Sequence, residues 1–431
     1  MARDAREQLL TGMVQVASAG GYSCASVARL VDRTGVSRRT FYAQFRDRED
    51  CFLAAYQAVV ARGRTALSAA AAASTPADRP RAVLDALVHQ IVMDPTAARL
   101  VFLEADGAPL PVRREHWAVL RAVELELECF LRLRARRGPV LQIPAAALRT
   151  AIQTIVSMRL LREEADALPG LLDDLVTWVG CYRLPAGESL RPQRFWSDLE
   201  GRFPPLPRRE LEPPSLLPRG RSALVPDGAA AERRSRILEA TVRTTAAKGY
   251  AAVTVAEIAA AARLTKGAFY SHFDSKLDAF LAAQRLGLQE TVAAAAAAFY
   301  TERGWPDRVW AGLREFLRYF AENPEAAVFG IMEVHAAGEA AIRLEHDTRT
   351  AFTVFLEEGH RERAAAGAAL PPITSEAIAA ANYGLLRRQV LRGKTEYAVR
   401  LLPQAAYLTL APFLGPVETL AFIEDQVRAV R

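Results

Sequence analysis

Two short segments of the chain combine basic and polar side chains with the same aromatic spacing. They read RRTFYAQF from Arg38 and KGAFYSHF from Lys266. Arginine can donate two hydrogen bonds to one guanine edge, and lysine binds phosphate as a point charge. Phenylalanines four residues apart share one helix face and predict a buried stripe, whereas the tyrosine between them should point outward. The segments therefore predict two short helices that present basic groups and a tyrosine to a polyanion.

Other residues with chemical potential are scattered. The six histidines and four cysteines form no HExxH or CxxC motif, and no nucleophile elbow or Gly-rich phosphate loop occurs. His335 and Glu339 could share a helix face, but two ligands make neither a zinc site nor a general base. We therefore expect no catalytic residues, no metal and no cofactor. A helical enzyme remains the less favoured alternative.

The basic segments belong to a duplication. Positions 21–55 align with positions 249–283 without a gap, and 12 of the 35 aligned pairs are identical. Slightly further along, positions 94–105 align with 323–334, and Glu104 falls opposite Glu333. Two matches in the same order at nearly the same offset indicate that the repeat extends beyond the basic segments.

A proline-rich stretch separates the two copies, and the rest of the chain has helical periodicity. Seven prolines between positions 204 and 230 predict an extended linker. Apolar residues elsewhere recur every three or four positions, which predicts an all-α fold. The predicted domains are helix-turn-helix domains at 1–55 and 231–283, helical domains at 56–203 and 284–431, and the linker at 204–230.

Each repeated segment has the pattern of two short helices joined by a three-residue turn. In the second copy Thr254 and Glu257 form a capping box, whereas Arg29 in the first copy weakens the equivalent cap at Ser26. A second helix of this kind enters the major groove. The residues expected at DNA are Ser26, Ser37, Arg38, Arg39, Thr40, Tyr42 and Gln44 in the first copy and Thr254, Thr265, Lys266, Gly267, Ala268, Tyr270 and His272 in the second.

The stretch TVAEIAAAARLTKGAFYSHFDSKLDAF resembles the N-terminal signature of the TetR family of transcription regulators, and the first copy resembles it almost as well. AYLTLAPFLGPVETLAFI, positions 406–423, is similar to the last helices of many members. The resemblance implies that each copy is a three-helix DNA-binding domain plus a helical bundle that binds a small effector and dimerises. It also implies phosphate contacts at Arg48 and Lys276, and a repressor that the effector releases from a double-stranded DNA operator.

The effector itself is weakly specified. Candidate pocket residues are mainly aromatic, which predicts a mostly apolar ligand with few polar anchors. An ordinary helical-bundle core would explain the same residues. They are Phe102, Glu104, Trp117 and Phe130 in the first copy and Trp310, Phe329, Glu333 and His335 in the second.

Fusion of two unlike copies has consequences for assembly and recognition. The net charge of +6 suits a polyanionic partner, and the absence of a long apolar run predicts a cytoplasmic protein without a membrane partner. Family members form homodimers, so we expect the two copies to pair within one chain, although chains could also dimerise. The local charge is +3 over positions 37–48 and +1 over 265–276. This difference predicts unlike half-sites, or alternatively one degenerate head that only dimerises or senses ligand.

Overall fold

The computed structural model describes residues 2–75, 78–135, 145–184, 193–207 and 226–429. Throughout these ranges the regular secondary structure is helical and no strand forms, which confirms the predicted all-α fold. Of the predicted linker, residues 208–225 lie outside the described part of the chain, and residues 226–230 are not extended but begin the helix Pro226–Lys248.

The chain divides into two compact units. Residues up to Gly180 form most of the first unit, and residues from Cys181 onward form most of the second. The short segment Pro371–Ala377 groups with the first unit. Each unit contains one of the two helix-turn-helix segments.

The division lies upstream of the predicted linker. The sequence predicts that the first helical domain ends at residue 203, whereas the structure packs the described part of 181–207 within the second unit. The hydroxyl of Tyr182 donates to the carbonyl of Leu408 at 2.7 Å. The guanidinium of Arg400 donates to the carbonyl of Phe203 at 2.9 Å. The partners in these contacts lie far apart in the sequence, so local periodicity could not reveal them.

The first unit begins with a three-helix head, followed by a helical body. The head consists of α1 (Ala2–Cys24), α2 (Val27–Thr34) and α3 (Arg38–Gln44). The body consists of α4 (Arg48–Ala73), α5 (Arg79–Met93), α6 (Pro95–Arg99), a π-helical turn (Leu100–Glu104), α7 (Leu110–Ala135), α8 (Ala145–Leu161), a 3-10 segment (Ala165–Leu171) and α9 (Leu172–Gly180).

The second unit repeats this order. Helix α10 (Gln193–Glu200) precedes a head of α11 (Pro226–Lys248), α12 (Val255–Ala261) and α13 (Lys266–Tyr270). The body contains α14 (Lys276–Phe299), α15 (Trp305–Glu322), α16 (Pro324–Ala327), a π-helical turn (Val328–Met332), α17 (Val334–Ala337), α18 (Glu339–Ala351), a 3-10 segment (Phe352–Leu356), α19 (Glu357–Ala365), α20 (Ile373–Leu391), a 3-10 segment (Thr395–Leu401), α21 (Leu402–Leu414) and α22 (Pro416–Ala429).

Irregular elements recur at equivalent places in the two bodies. The π-helical turns Leu100–Glu104 and Val328–Met332 coincide when the two copies are aligned as their heads align. The 3-10 segments Ala165–Leu171 and Thr395–Leu401 fall at almost the same offset. Each π-turn ends at, or directly before, a glutamate through which the body contacts its head. The duplication therefore includes the bodies as well as the heads.

The turn between the two helices of each helix-turn-helix uses the same backbone conformation with different residues. Gly35 adopts φ +69° in the first head, and Arg263, at the equivalent position, adopts φ +57° in the second. Glycine occupies this left-handed region without steric cost, whereas a residue with a Cβ is strained there by about 1–2 kcal/mol. The second head therefore forms its turn against a backbone cost that the first avoids.

Exchanging side chains at this turn should change the local stability of the two heads in opposite directions. Gly35→Ala should destabilise the first head by about 1 kcal/mol, because space is open around the added Cβ and only the positive φ resists it. Arg263→Gly should stabilise the second head by up to about 1 kcal/mol. Hydrogen exchange of peptides covering positions 25–46 and 253–274 measures both effects.

The control is Gly63→Ala, inside α4, where the added methyl also meets open space. That substitution should stabilise by roughly 0.5–1 kcal/mol because the helical backbone favours alanine. A stabilising effect of Gly35→Ala would contradict the strain argument.

Candidate nucleic-acid interface

The second helix of each helix-turn-helix is held by a buried aromatic stripe. Phe41 and Phe45 are 0% and 3% exposed, and their counterparts Phe269 and Phe273 have the same values. The tyrosines that follow Phe41 and Phe269 are 59% and 55% exposed. Both predictions from the spacing, buried phenylalanine and outward tyrosine, are confirmed.

A hydroxyl caps each of these helices at its start. Ser37 Oγ accepts the amide of Thr40 at 3.1 Å, and Thr265 Oγ1 accepts the amide of Ala268 at 3.2 Å. The caps fix the first turn, so the side chains that follow project from a defined backbone. Ser37, Arg38, Arg39 and Tyr42 are exposed in the first head, as are Thr265, Lys266, Gly267 and Tyr270 in the second, while Thr40, Gln44, Ala268 and His272 are partly buried.

The second recognition helix is shorter than the sequence predicts. Helix α13 ends at Tyr270, so His272 lies in the following turn and not on the helix. The hydroxyl of Ser271 donates to the carbonyl of Ala268 at 2.8 Å and competes with continuation of the helix. The first head has an alanine at the equivalent position, and α3 extends to Gln44.

The hydroxyls of Ser26 and Thr254 bind helix N-termini. Ser26 Oγ accepts the amide of Arg29 at 3.2 Å. Thr254 and Glu257 form the predicted reciprocal capping box. Glu257 also pairs with Lys248 at 2.5 Å, and the hydrogen bond from Lys248 together with those from Thr254 lowers the pKa of Glu257 to about 2. The second head therefore has the more complete cap, as the sequence predicts.

The Lys276 ammonium binds backbone within its own head. Its Nζ donates to the carbonyls of Tyr250 and Val253 at 2.6 Å and 2.9 Å, and it lies 4.2 Å from the Tyr250 ring centroid. Burial lowers the pKa of Lys276. In the first head the Arg48 guanidinium lies 4.3 Å from the Tyr22 ring centroid. An ammonium has three N–H donors, so one remains for the predicted phosphate contact of Lys276.

Two further arginines beside the recognition helices were missed in the sequence. Arg6 lies 4.6 Å from the Phe45 ring centroid and donates to the carbonyl of Gln44 at 3.4 Å. Arg234, its counterpart in the second copy, lies 5.0 Å from the ring of Phe273. Arg6 and Arg234 occupy equivalent positions in the two copies, and this equivalence could have identified both arginines from the sequence. They place a positive charge beside each recognition helix, from the N-terminal part of α1 and α11.

A carboxylate joins the body to the head in each unit. Glu333 Oε2 accepts the backbone amide of Tyr250 at 2.7 Å, and Glu104 Oε2 accepts that of Tyr22 at 3.2 Å. The sequence placed both glutamates among the effector-pocket candidates. The structure places both at backbone bends of the heads: Glu333 at the turn after α11, where Gly249 adopts φ +83°, and Glu104 at a kink within α1, where Gly21 adopts φ +79°.

A partly open cavity of about 460 Å³ lies between helices of the second body and α11 of its head. Phe329, one of the predicted pocket residues, lines it, whereas Trp310, Glu333 and His335 are not among its lining residues. Trp310 is 4% exposed and packs 6.2 Å from the ring of Phe422, as part of the core. The larger part of the wall comes from residues that sequence analysis did not identify, including Gln284 and Asn382.

The predicted pocket residues of the first body serve in packing and hydrogen bonding. The carbonyl of Phe102 accepts the hydroxyl of Ser157 at 3.0 Å. Trp117 is partly buried, with the Arg113 guanidinium 5.8 Å from its ring centroid. The side chain of Phe130 lies outside the described residues.

Two further searches of the structure concern metals and membranes. Within the described ranges, His, Cys, Asp and Glu side chains form no group of three or more suited to a metal ion. In the same ranges no single helix has the length and hydropathy to cross a membrane. The bent helix pair Arg81–Met93 and Pro95–Glu104 meets both criteria only when its two helices are taken together.

Comparison with known proteins identifies the heads. Residues 9–55 and 237–283 each match the family model described as bacterial regulatory proteins, tetR family. A 45-residue stretch is 49% identical to YerO of Bacillus subtilis, an uncharacterised HTH-type transcriptional regulator. That stretch is 10% of this chain and spans 16% of YerO.

Similar solved structures each correspond to a little over two fifths of the chain. The fatty acid degradation regulator FadR of Bacillus halodurans is 17% identical, with a TM-score of 0.38, and the alignment covers 41% of this chain and 94% of FadR. FadR of Bacillus subtilis, solved in complex with stearoyl-CoA, is 14% identical with a TM-score of 0.36, covering 42% and 98%.

The backbone contacts of Lys276 lead to a test that separates head stability from DNA contact. Lys276→Met should remove both carbonyl interactions and destabilise the second head by about 1–2 kcal/mol, because hydrogen bonds from charged groups are stronger than neutral ones. Faster hydrogen exchange at positions 250–262 would report this loss.

The matched control is Lys266→Met on the exposed start of α13. It should leave exchange unchanged and weaken DNA binding at all sequences, with a shallower salt dependence. Unchanged exchange in Lys276→Met would show that the ammonium does not hold the turn.

Proposed function

We propose that this chain is a transcription regulator that binds a DNA operator with two unlike heads, since both helix-turn-helix segments match the family model described as bacterial regulatory proteins, tetR family. The observation that carries the proposal is the pair of capped helices, α3 and α13, each with an exposed tyrosine and basic groups at its N-terminal end. Residues at this end of a recognition helix contact base edges in the major groove.

The difference between the heads supports an asymmetric operator. In the first head Arg38 and Arg39 are both exposed and can each contact a guanine edge. In the second head Lys266 precedes Gly267, which offers no side chain to the groove. Identical half-sites would leave one head mismatched, at about 1–3 kcal/mol per wrong base pair. We propose half-sites about one helical turn apart, with the more G-rich one bound by the first head.

We further propose that the two units act as a single-chain pseudo-dimer. In dimeric family members the last helices of the body pair through apolar faces, and the last helices of the two bodies here would pair in the same way. Covalent connection raises the effective concentration of one unit near the other. Internal pairing then competes favourably with pairing between chains.

Repression released by a small effector is the regulatory part of the proposal. Phe329 lines the cavity of the second body and packs 4.3 Å from the ring of Phe280. Phe280 in turn packs 5.2 Å from Tyr250, whose amide is bound by Glu333 at the end of the same π-helical turn. A ligand that displaces this turn would move the second head through two routes, the aromatic chain and the carboxylate.

In vitro selection from random DNA tests the asymmetry. The full chain should enrich a non-palindromic site, because each half-site meets different side chains. Arg39→Ala should relax base preference in the G-rich half-site, and Lys266→Ala should lower affinity without changing the selected sequence. Recovery of a perfect palindrome would contradict the asymmetric arrangement and indicate pairing of like heads from two chains.

A double variant tests whether the first head reads DNA at all. Arg38→Ala combined with Arg39→Ala should weaken binding to the selected operator at least tenfold, because each good guanine contact contributes about 1–3 kcal/mol. The paired control replaces Arg62 and Arg64, two exposed arginines of α4 outside the head, with alanine. Unchanged affinity in the head variant would favour a degenerate first head.

Light scattering tests the pseudo-dimer. At low micromolar concentration the mass should equal the 47.1 kDa of one chain, and with the selected operator it should equal one chain plus one DNA duplex. Internal pairing makes this mass independent of concentration. Twice that mass at the lowest concentration would contradict a single-chain assembly.

A further inference from the structure

The cavity of the second body combines an aromatic wall with hydrogen-bond acceptors that have no partner among the described residues. Phe299, Phe316, Phe320, Phe352 and Phe355 contribute to its lining. Two lining amides, those of Gln284 and Asn382, each have a buried oxygen that accepts no hydrogen bond from the described part of the chain. Gln284 is 7% exposed, so bulk water does not satisfy it. A buried acceptor without a partner is costly, and a ligand donor would remove that cost.

The orientations of both amides are fixed by their other hydrogen bonds. Gln284 Nε2 donates to the carbonyl of Ala341 at 3.1 Å, and a carbonyl can only accept. Asn382 Nδ2 donates to Thr409 Oγ1 at 2.9 Å, and that hydroxyl already donates to the carbonyl of Ala405 at 2.8 Å. Neither amide can rotate without losing a bond, so oxygen is the atom left to accept in both.

The charges around the cavity are predominantly negative. Five glutamates and two arginines line it, a formal charge of −3. Arg349 has a buried Nε without a partner among the described residues, but its guanidinium is neutralised by Glu345 at 2.9 Å and lies 4.6 Å from the ring of Tyr383. Burial raises the pKa of Glu345 to about 7, although Arg349 and Arg387 oppose the shift. An anionic ligand would be repelled, whereas a cation would be attracted.

The first body has a different side chain at the position of Gln284. Gln284 corresponds to Tyr56 in the alignment of the two copies, and the two occupy the same position of α14 and α4. Tyr56 is fully buried, and its hydroxyl is bonded to Nδ1 of His116 at 2.9 Å. In the second body a smaller side chain stands at this position and leaves an acceptor available. The two copies therefore differ at a residue that determines whether a hydrogen-bond acceptor is left without a partner among the described residues.

We propose that the second-body cavity binds an apolar molecule carrying a protonated amine, for which Gln284 and Asn382 supply hydrogen-bond acceptors and the surrounding carboxylates supply the charge. The inference rests on the proposed function, in which this body holds the effector, and it names the chemical class of that effector. The phenylalanine-rich wall covers the apolar part of the ligand. Amine N–H groups satisfy the amide oxygens without breaking any existing bond.

Four probes with the same phenylalkyl tail and different head groups test the ligand class by calorimetry on the full chain. They are 4-phenylbutylamine, 4-phenylbutanol, 4-phenylbutyrate and trimethyl(4-phenylbutyl)ammonium. The primary amine should bind at least about tenfold more tightly than the carboxylate and the quaternary ammonium, which lack charge complementarity and N–H donors respectively. The alcohol should lie between. A carboxylate that binds as tightly as the amine overturns the proposal, and so does an equal affinity of the quaternary ion.

Substitutions of lining residues test whether the amine binds in this cavity. Gln284→Tyr introduces the side chain of the first body and should abolish amine binding by filling the space. Asn382→Leu removes an acceptor oxygen and should weaken the amine about fivefold or more while leaving the alkyl-aromatic part accommodated. Gln389→Leu is the matched control: Gln389 also donates Nε2 to a backbone carbonyl, that of Lys394 at 2.8 Å, but does not line the cavity.

The readouts separate this inference from the proposed function. Retention of the selected operator by each variant shows that the heads are folded and bind DNA. Failure of every probe to bind a chain that retains its operator overturns the amine proposal alone. If the chain binds the amine but selects no DNA sequence, the ligand class is supported and the proposed role as a transcription regulator is refuted. Unaltered binding in both Gln284→Tyr and Asn382→Leu would place the amine elsewhere and overturn the assignment.

Discussion

One hydrogen bond, made once in each unit, governs how a head is attached to its body. A glutamate at the end of a π-helical turn accepts the backbone amide at the turn after the first long helix of the head, at 3.2 Å for Glu104 and 2.7 Å for Glu333. The amide belongs to a tyrosine whose ring packs on the first body helix, against Phe52 or Phe280. A short polar contact and an aromatic contact therefore fix the same residue from two directions. Under the proposed function, a displacement of the π-turn would act on the head through both contacts.

Divergence between the copies is concentrated around this attachment. The first head has an arginine over its tyrosine, whereas in the second Lys276 donates to two turn carbonyls. The first body buries Tyr56, whereas the second has Gln284 at the same position beside a cavity. The second copy thus combines a tightly bound turn with a space that a ligand could enter. The first copy has the more basic recognition helix. Under the proposed function, the second copy would respond to the ligand.

Much of the candidate interface could be predicted because its determinants are local. The four-residue spacing of Phe41 and Phe45 defined a buried stripe, and the hydroxyls of Ser37 and Thr265 marked helix starts three residues from the amides they bind. The prediction failed at His272, where the Ser271 hydroxyl ends the helix early. The pocket prediction was weaker, because aromatic content does not distinguish a cavity wall from a packed core. Phe329 lines the cavity, whereas Trp310 lies in the core.

The sequence by itself determined the duplication, the helical class and the local design of both heads. Caps, turns and helical stripes depend on residues within about one helical turn of one another, and such local relations can be recognised in the amino-acid sequence. Tertiary structure decided the roles of Glu333, Lys276 and Gln284. Their partners lie 83, 26 and 57 residues away, and carboxylate, ammonium and amide groups can each serve several purposes. Which donor meets which acceptor is set by the packing of helices, since burial removes water as the alternative partner and makes each unsatisfied group costly.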